Sequence, residues 1–364
     1  MKYLEEFRNF ELAQRLARKI RELARDQQFK FMEVCGTHTM AVHKFGLKEL
    51  WGKNVRLISG PGCPVCVTPN SYMDRAIALS LKRDVLVCTF GDMLRVPGSS
   101  RSLEQARAEG GKVKMVYSAK DALELAKDNP ELKVVFLAVG FETTSPGIAR
   151  TIEQAEQEKI DNYFILTGHK LIPPAMKALV EDKRIGIQGF ICPAHVSTII
   201  GMEPYQFLVR DYGIPCVIAG FEPLDILQGI LMLVEMIVEG KPAVKNQYRR
   251  VASAKGNQRA QELLERIFKP VDSEWRGLGW IPASGYQLRE EFAHREAERA
   301  IPVEVEPPKE HKGCRCGEVL QGLIEPPECP LYGKVCTPEK PVGPCMVSSE
   351  GSCSAYYKYV GAEQ

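Results

Sequence analysis

Near the start of the chain, Leu12, Leu16, Ile20 and Leu23 fall at steps of four, four and three. That spacing predicts an amphipathic helix within residues 4–26. From about residue 55 the pattern changes to short apolar runs, each closed by a Gly- or Pro-marked polar turn. Six follow in order: VRLISGPGCP, VLVCTFGDMLRVPG, VVFLAVGFETTSPG, YFILTGHKLIPP, GFICPAHVSTIIG and CVIAGFEPLDILQG. Helical patterns lie between several of them, as at residues 118–129 and 228–238. Apolar runs alternating with helices predict βα units and buried parallel sheets. The turns Phe90-Gly91-Asp92, Gly140-Phe141-Glu142 and Gly220-Phe221-Glu222 resemble one another. Two similar α/β units are therefore expected, joined near residues 110–125, in a repeat too loose for a solenoid.

After Gly240 the character changes. Residues 256–268 and 285–300 read as polar-faced helices, and IPVEVEPPKEHKG reads as an extended linker. The tail that follows has few aliphatic residues and needs a staple to hold a fold. Length agrees with this division, because 364 residues suffice for two or three compact units.

Charge removes several function classes. Lys and Arg number 48 against 46 Asp and Glu, a formal net charge of +2. Such a balance gives no general pull toward nucleic acid or anionic lipid. The N-terminal MKYLEEFRNFELAQRLARKI lacks the apolar core of a signal peptide, and the apolar stretch Gly229–Val238 is broken by Glu235 and too short for a bilayer. A soluble cytoplasmic protein is expected, with no membrane and no nucleic-acid partner.

The twelve cysteines are unusual for a reducing compartment, where disulfides rarely persist. Six lie in the tail: Cys314, Cys316, Cys329, Cys336, Cys345 and Cys353. A structural zinc site takes two close pairs, and only Cys314 and Cys316 are close, with a single-residue gap unsuited to that pattern. In an extended segment those two side chains point to opposite faces, so they are not expected to serve the same metal. Widely spaced thiolates suit an iron–sulfur cluster better, with zinc and a disulfide staple as the alternatives.

Two further cysteine segments stand at strand ends. Cys63 and Cys66 form a Cys-x-x-Cys in GPGCPVC, where a helix N-terminus can lower a thiolate pKa for redox exchange. Half of a metal site is the alternative, although no second Cys-x-x-Cys completes it. Cys35, in EVCGTHTM, lies three residues before His38, which could hydrogen-bond or deprotonate it; a structural Cys is the plainer reading. Cys88, Cys192 and Cys216 read as buried free thiols. Asp92, Glu142, Glu222, His169 and His195 also fall at strand ends, where each is as suited to capping as to chemistry. No phosphate-binding loop or G-x-G-x-x-G is present to support a nucleotide.

Taken together, CGTHTMAVHKFG, GPGCPVCVTP, FGDMLRVPGS, GFETTSPG, CPAHVSTIIG, GFEPLDIL and the tail ECPLYGKVCTP…GPCMVSSEGSC closely resemble the HypD family of hydrogenase maturation factors, in the same order over nearly the whole chain. The resemblance implies two similar parallel-sheet α/β domains plus a Cys-rich C-terminal iron–sulfur domain formed from the two chain ends. The expected bounds are 1–30 for a helix packing on that third domain, 31–118 for the α/β domain with the CGTH and CPVC motifs, 119–245 for the second α/β domain, and 246–364 for the helical and Cys-rich domain. It further implies a [4Fe–4S] cluster held by Cys314, Cys329, Cys336 and Cys353, with Cys316 and Cys345 as a remaining pair able to form a disulfide. Cys35 matches the family's iron-site cysteine, and Cys63 with Cys66 its redox pair. The implied function is assembly of the Fe(CN)2CO unit of [NiFe]-hydrogenases with HypC, which contributes a cysteine, and HypE, which supplies cyanide as an enzyme thiocyanate. His38 would position or deprotonate a thiol there. Two rivals from other classes remain: a stand-alone disulfide oxidoreductase, which leaves Cys35 and the tail without work, and a metal-stapled binding module, which explains the tail alone.

Overall fold

The computed structural model describes residues 5–361. Its strands are β1 (Phe29–Glu33), β2 (Val55–Ser59), β3 (Val85–Thr89), β4 (Val113–Met115), β5 (Lys133–Ala138) and β6 (Tyr163–Thr167). They continue with β7 (Gly189–Pro193), β8 (Cys216–Ala219), β9 (Val244–Asn246), β10 (Phe268–Trp275) and β11 (Gly279–Leu288). Each of the six apolar runs forms a strand. Most are buried on both faces, as in β7, where every residue is buried, whereas the edge strand β2 exposes Arg56.

Two parallel sheets result, of order β2-β1-β7-β8-β9 and β4-β3-β5-β6. The first takes its strands from both ends of this stretch, with Phe31 opposite Gly189. The second is built wholly from the residues between them. The expected boundary at residue 118 thus falls inside the second sheet, between β4 and β5. Apolar runs mark strands locally, but β1 finds its partner β7 only after an entire intervening domain, and no local pattern carries that pairing. In both sheets the strand order reverses once, between β1 and β7 and between β3 and β5. Such switch points open a crevice at the strand C-termini.

The first long helix, Phe10–Leu23, starts at Asn9, whose side chain accepts from the Leu12 amide at 3.0 Å. Its buried stripe is Ala13, Ala17 and Ile20, whereas Leu12 is 43% exposed. Small alanines let it lie close against the apolar helix Pro223–Val238, and Lys19 pairs with Glu235 at 2.6 Å. It therefore packs on the first α/β unit and not on the cysteine-rich region, contrary to the expectation for residues 1–30. The helix Gln258–Ile267 is as expected, but 285–300 begins as strand, because β11 pairs with β10 as far as Leu288 opposite Phe268. Among the described residues no helix is long and apolar enough to cross a membrane.

The tail packs into the core of the first α/β unit. Val319, Leu320, Tyr332 and Met346 share one core with Met32, Val34 and Ile58 of the first sheet. Gly322 turns the chain over Ile58 at a φ of +68°, a backbone conformation that side-chain-bearing residues rarely adopt.

Candidate metal and thiol site

Cys35 lies two residues past the end of β1 and caps the helix Gly36–Lys44, which places it at the switch point of the first sheet. Its amide donates to Glu33 Oε2 at 3.0 Å. Burial, then Glu350 and Glu33, push its thiol up to about 12, while the amides of Thr37 and His38 at the helix start pull the other way. A soft metal at this position would reverse that balance, because it binds the thiolate.

The GPGC loop crosses the same spot. The Gly36 amide donates to the Gly62 carbonyl at 2.9 Å, and a Cβ on Gly62 would stand 2.1 Å from the Cys35 nitrogen. Glycine at 62 is what lets the next residue, Cys63, follow so close behind Cys35. Cys63 caps the four-residue helix Pro64–Val67, and Cys66 lies a turn later on the same side. Burial raises the Cys66 thiol well above its ordinary range, with the Cys63 thiol, Cys353 and Glu350 adding to the effect. The expected lowering of a thiolate pKa by the helix is not seen at Cys66: desolvation outweighs one short turn of helix.

All six tail cysteines line a single cavity, together with Val319, Leu331, Tyr332 and Met346. Cys316 and Cys345 are joined as a disulfide with Cα atoms 6.4 Å apart, leaving Cys314, Cys329, Cys336 and Cys353 free. Cys314 and Cys316 do not point to opposite faces, because Cys316 opens the helix Cys316–Leu320 and the segment is not extended. They are separated instead by their bonding. Burial raises the Cys353 thiol far above its usual range, and Cys336, Cys314 and Cys329 each add to it.

Among the described residues no three His, Cys, Asp or Glu side chains form a group that could hold one metal ion. A four-iron cluster makes a different demand, since each thiolate binds its own iron and the sulfurs ring the cluster. Four free thiols around an apolar cavity fit that group. The Val342 amide also donates to Cys336 Sγ at 3.3 Å, the kind of contact that stabilises a ligating thiolate.

The tail reaches the Cys35 helix directly. Thr37 Oγ1 donates to Glu350 Oε1 at 2.7 Å, and a Cβ on Gly36 would stand 2.4 Å from the Glu350 carbonyl oxygen. On the other side Cys66 Sγ lies 3.9 Å from the Pro344 carbonyl. Three segments remote in sequence, around Cys35, Cys63 and Cys353, thus meet in one place.

Comparison with known proteins identifies the chain. The family model described as HypD, the hydrogenase formation hypA family, matches residues 11–360, which include every one of the cysteines. Hydrogenase maturation factor HypD of Cupriavidus necator is 48% identical over 99% of this chain and 97% of its own. Hydrogenase expression/formation protein HupD of Azotobacter chroococcum is 49% identical over 99% and 97%. Hydrogenase maturation factor HypD of Escherichia coli is 44% identical over 99% and 98%. The chain belongs to the HypD family. It is a hydrogenase maturation factor.

Within this HypD chain the other singled-out residues separate clearly. His38 is buried with Nε2 3.0 Å from both the Ala219 and Gly220 carbonyls, and Nδ1 bonds to nothing. Burial lowers it to about 4, so it is a neutral donor that ties the Cys35 helix to the end of β8 and makes no hydrogen bond to the Cys35 thiol. Cys88, Cys192 and Cys216 are buried in β3, β7 and β8. Glu222 pairs with Arg8 at 2.6 Å, and His169, just after β6, is buried against Phe268. The His195 ring lies tilted against Phe221, with centroids 4.3 Å apart, and feels the charge of Glu350.

Glu350 is the residue that sequence reasoning missed. It acts on Cys35, Cys66 and His195 at once, yet in SSEGSC only the cysteine drew notice. The glycines at 36 and 351 flanking its contact were the available signal, since Gly351 also presses on the Cys345 carbonyl, 2.2 Å from where a Cβ would sit.

Proposed function

We propose that this chain is the scaffold on which the Fe(CN)2CO unit of [NiFe]-hydrogenase is assembled, with a HypC-type protein and a HypE-type cyanide donor as partners. The convergence of Cys35, Cys63, Cys66 and the tail cysteine Cys353 on one locus carries this reading. Cys35 supplies a soft thiolate to the cargo iron from the switch-point crevice, and HypC supplies a second thiolate from outside.

Cyanide delivery is a two-electron reduction of a thiocyanate. One thiolate of the Cys63–Cys66 pair attacks the sulfur of HypE–S–C≡N, the S–CN bond breaks, and cyanide leaves. The second thiol resolves the mixed disulfide, giving HypE–SH and a Cys63–Cys66 disulfide. Each turnover consumes two thiol hydrogens, which appear on the HypE thiol and, before it binds iron, on HCN. A [4Fe–4S] cluster held by Cys314, Cys329, Cys336 and Cys353 would supply single electrons, two of which restore the dithiol. Burial of Cys63 and Cys66 supports a reductant reserved for this locus over a stand-alone oxidoreductase acting on protein disulfides.

Infrared spectroscopy of anaerobically purified protein with HypC tests the proposal. CO and CN stretching bands on the complex are expected, and their absence after assembly with HypE would refute it.

A further inference from the structure

A cavity of about 530 Å3, which no cysteine lines, lies between the end of β6, the β10–β11 hairpin and the helix Asn70–Ser80. Its size falls in the range of small-molecule sites. Tyr72, on the helix, ties one wall to the strand by donating its hydroxyl to the Leu166 carbonyl at 2.9 Å. Lys170 lines the cavity and is only 4% exposed. Its backbone is fixed on both sides, by an amide bond to the Gly140 carbonyl at 2.9 Å and by a bridge to Gly285 of β11. Its Nζ donates to Ser273 Oγ at 2.6 Å, and among the described residues it pairs with no carboxylate.

An ammonium carries three donors, so two remain for an acceptor inside the cavity. Burial lowers the amine to about 8, with Glu274 acting against it, so at neutral pH the charge persists. A buried cation without an anion is costly. Three carboxylates line the same cavity, and only Glu298 has a cation, Arg75. Glu274 accepts instead from the Ser71 hydroxyl at 2.7 Å, and Asp272 from the Ala283 amide at 3.0 Å. The cavity therefore presents a cationic pole at Lys170 and an anionic pole on β10, which do not pair with each other. Aromatic surface completes it. Tyr286 and Trp280 line it from β11, and Trp280 is 71% exposed whereas Trp51 and Trp275 are 1% exposed.

We propose that this cavity binds a free aromatic α-amino acid, with its carboxylate on Lys170 and Ser273, its ammonium toward Glu274 and Asp272, and its ring against Trp280 and Tyr286. A zwitterion satisfies both poles at once, and charge-assisted hydrogen bonds to each are the strong kind. A simple anion would meet Lys170 alone and be repelled by the carboxylates; a simple amine would leave Lys170 unpaired. An aromatic ring suits the wall, because offset and edge-to-face contacts add to the apolar area covered. The site is separate from the cysteine chemistry, and its failure would leave that reading untouched.

The test titrates the full-length protein with L-phenylalanine, read by calorimetry and by tryptophan fluorescence. Saturable one-site binding is expected, with a blue shift as Trp280 is covered; Trp280→Phe should lose that shift. The analogues 3-phenylpropionate, which lacks the ammonium, and phenethylamine, which lacks the carboxylate, should each bind at least about tenfold more weakly, as for a lost hydrogen bond to a charged group. Lys170→Met should weaken L-phenylalanine by a similar factor without lowering the melting temperature, because methionine fills the space and removes an unpaired buried charge. Absence of saturable binding to the parent would overturn the proposal. So would 3-phenylpropionate binding as tightly as L-phenylalanine, or an unchanged affinity in Lys170→Met. If Lys170→Met does not fold, Glu274→Gln decides, with a loss of about tenfold expected and an unchanged affinity overturning the site.

Discussion

The hydroxyl of Thr37 donates to the carboxylate of Glu350 at 2.7 Å, joining the first turn of the Cys35 helix to the last cysteine segment of the tail. This contact brings the Cys35 and Cys353 segments into one unit. It also sets a carboxylate where it raises the pKa of two buried thiols, Cys35 and Cys66.

Replacing Glu350 tests that arrangement. Glu350 raises the thiol pKa of both Cys35 and Cys66, so Glu350→Gln should lower both. Each thiol should then be alkylated at a lower pH than in the parent, read by mass spectrometry across a pH series. The cost in stability should be small, about 1 kcal/mol or less, because glutamine keeps an acceptor for the Thr37 hydroxyl and only the charge assistance is lost. Unchanged alkylation profiles would show that Glu350 does not act on these sulfurs.

The four free tail thiols should bind about four irons per chain under anaerobic conditions. Changing Cys314, Cys329, Cys336 or Cys353 to Ala should remove the brown chromophore and loosen the tail, because metal binding contributes to its folding. Cys316→Ala should leave most of the iron in place, since Cys316 is committed to Cys345. Iron analysis showing a full cluster in Cys336→Ala would sink the ligand assignment.

Cys35 and the Cys63–Cys66 pair should fail differently. Cys35→Ala should abolish CO and CN bands on the HypC complex while sparing the tail cluster. The double Ser variant at 63 and 66 should block cyanide delivery, and an added chemical dithiol should partly restore it. If the double variant still assembled Fe(CN)2CO, the redox role would be wrong. Loss of iron binding without rescue would make the pair ligands instead.

Glu142 gives a pH signature. Its Oε1 accepts from the Ile172 amide at 3.0 Å, Oε2 is buried without a partner, and burial raises the carboxyl to about 7. Its folded pKa lies above the unfolded value near 4.5, so its contribution is full below that value and is lost as pH rises toward 7. Glu142→Gln cannot ionise. Its melting temperature relative to the parent should therefore be higher at pH 8 than at pH 5, by calorimetry. A difference independent of pH would show that Glu142 is already ionised in the folded protein.

Strand positions were legible in the sequence because strands buried on both faces are largely apolar, and all six runs became strands, the edge strand β2 with Arg56 exposed. The cysteine motifs were legible because thiols at turn positions have few other uses. Local pattern could not carry the pairing of β1 with β7, which threads the second sheet between two halves of the first. Nor could it give the packing of the first helix, where close approach depends on Ala13 and Ala17 and leaves Leu12 at the surface. The redox environment was likewise decided in three dimensions. A helix start beside Cys66 suggested a lowered thiol pKa, but desolvation is a property of everything packed around the sulfur. Glu350 and the carbonyls that hold His38 come from segments distant in the chain. Sequence determined which groups could do the chemistry; tertiary structure decided their charge, because charge in a protein interior depends on neighbours that sequence proximity does not supply.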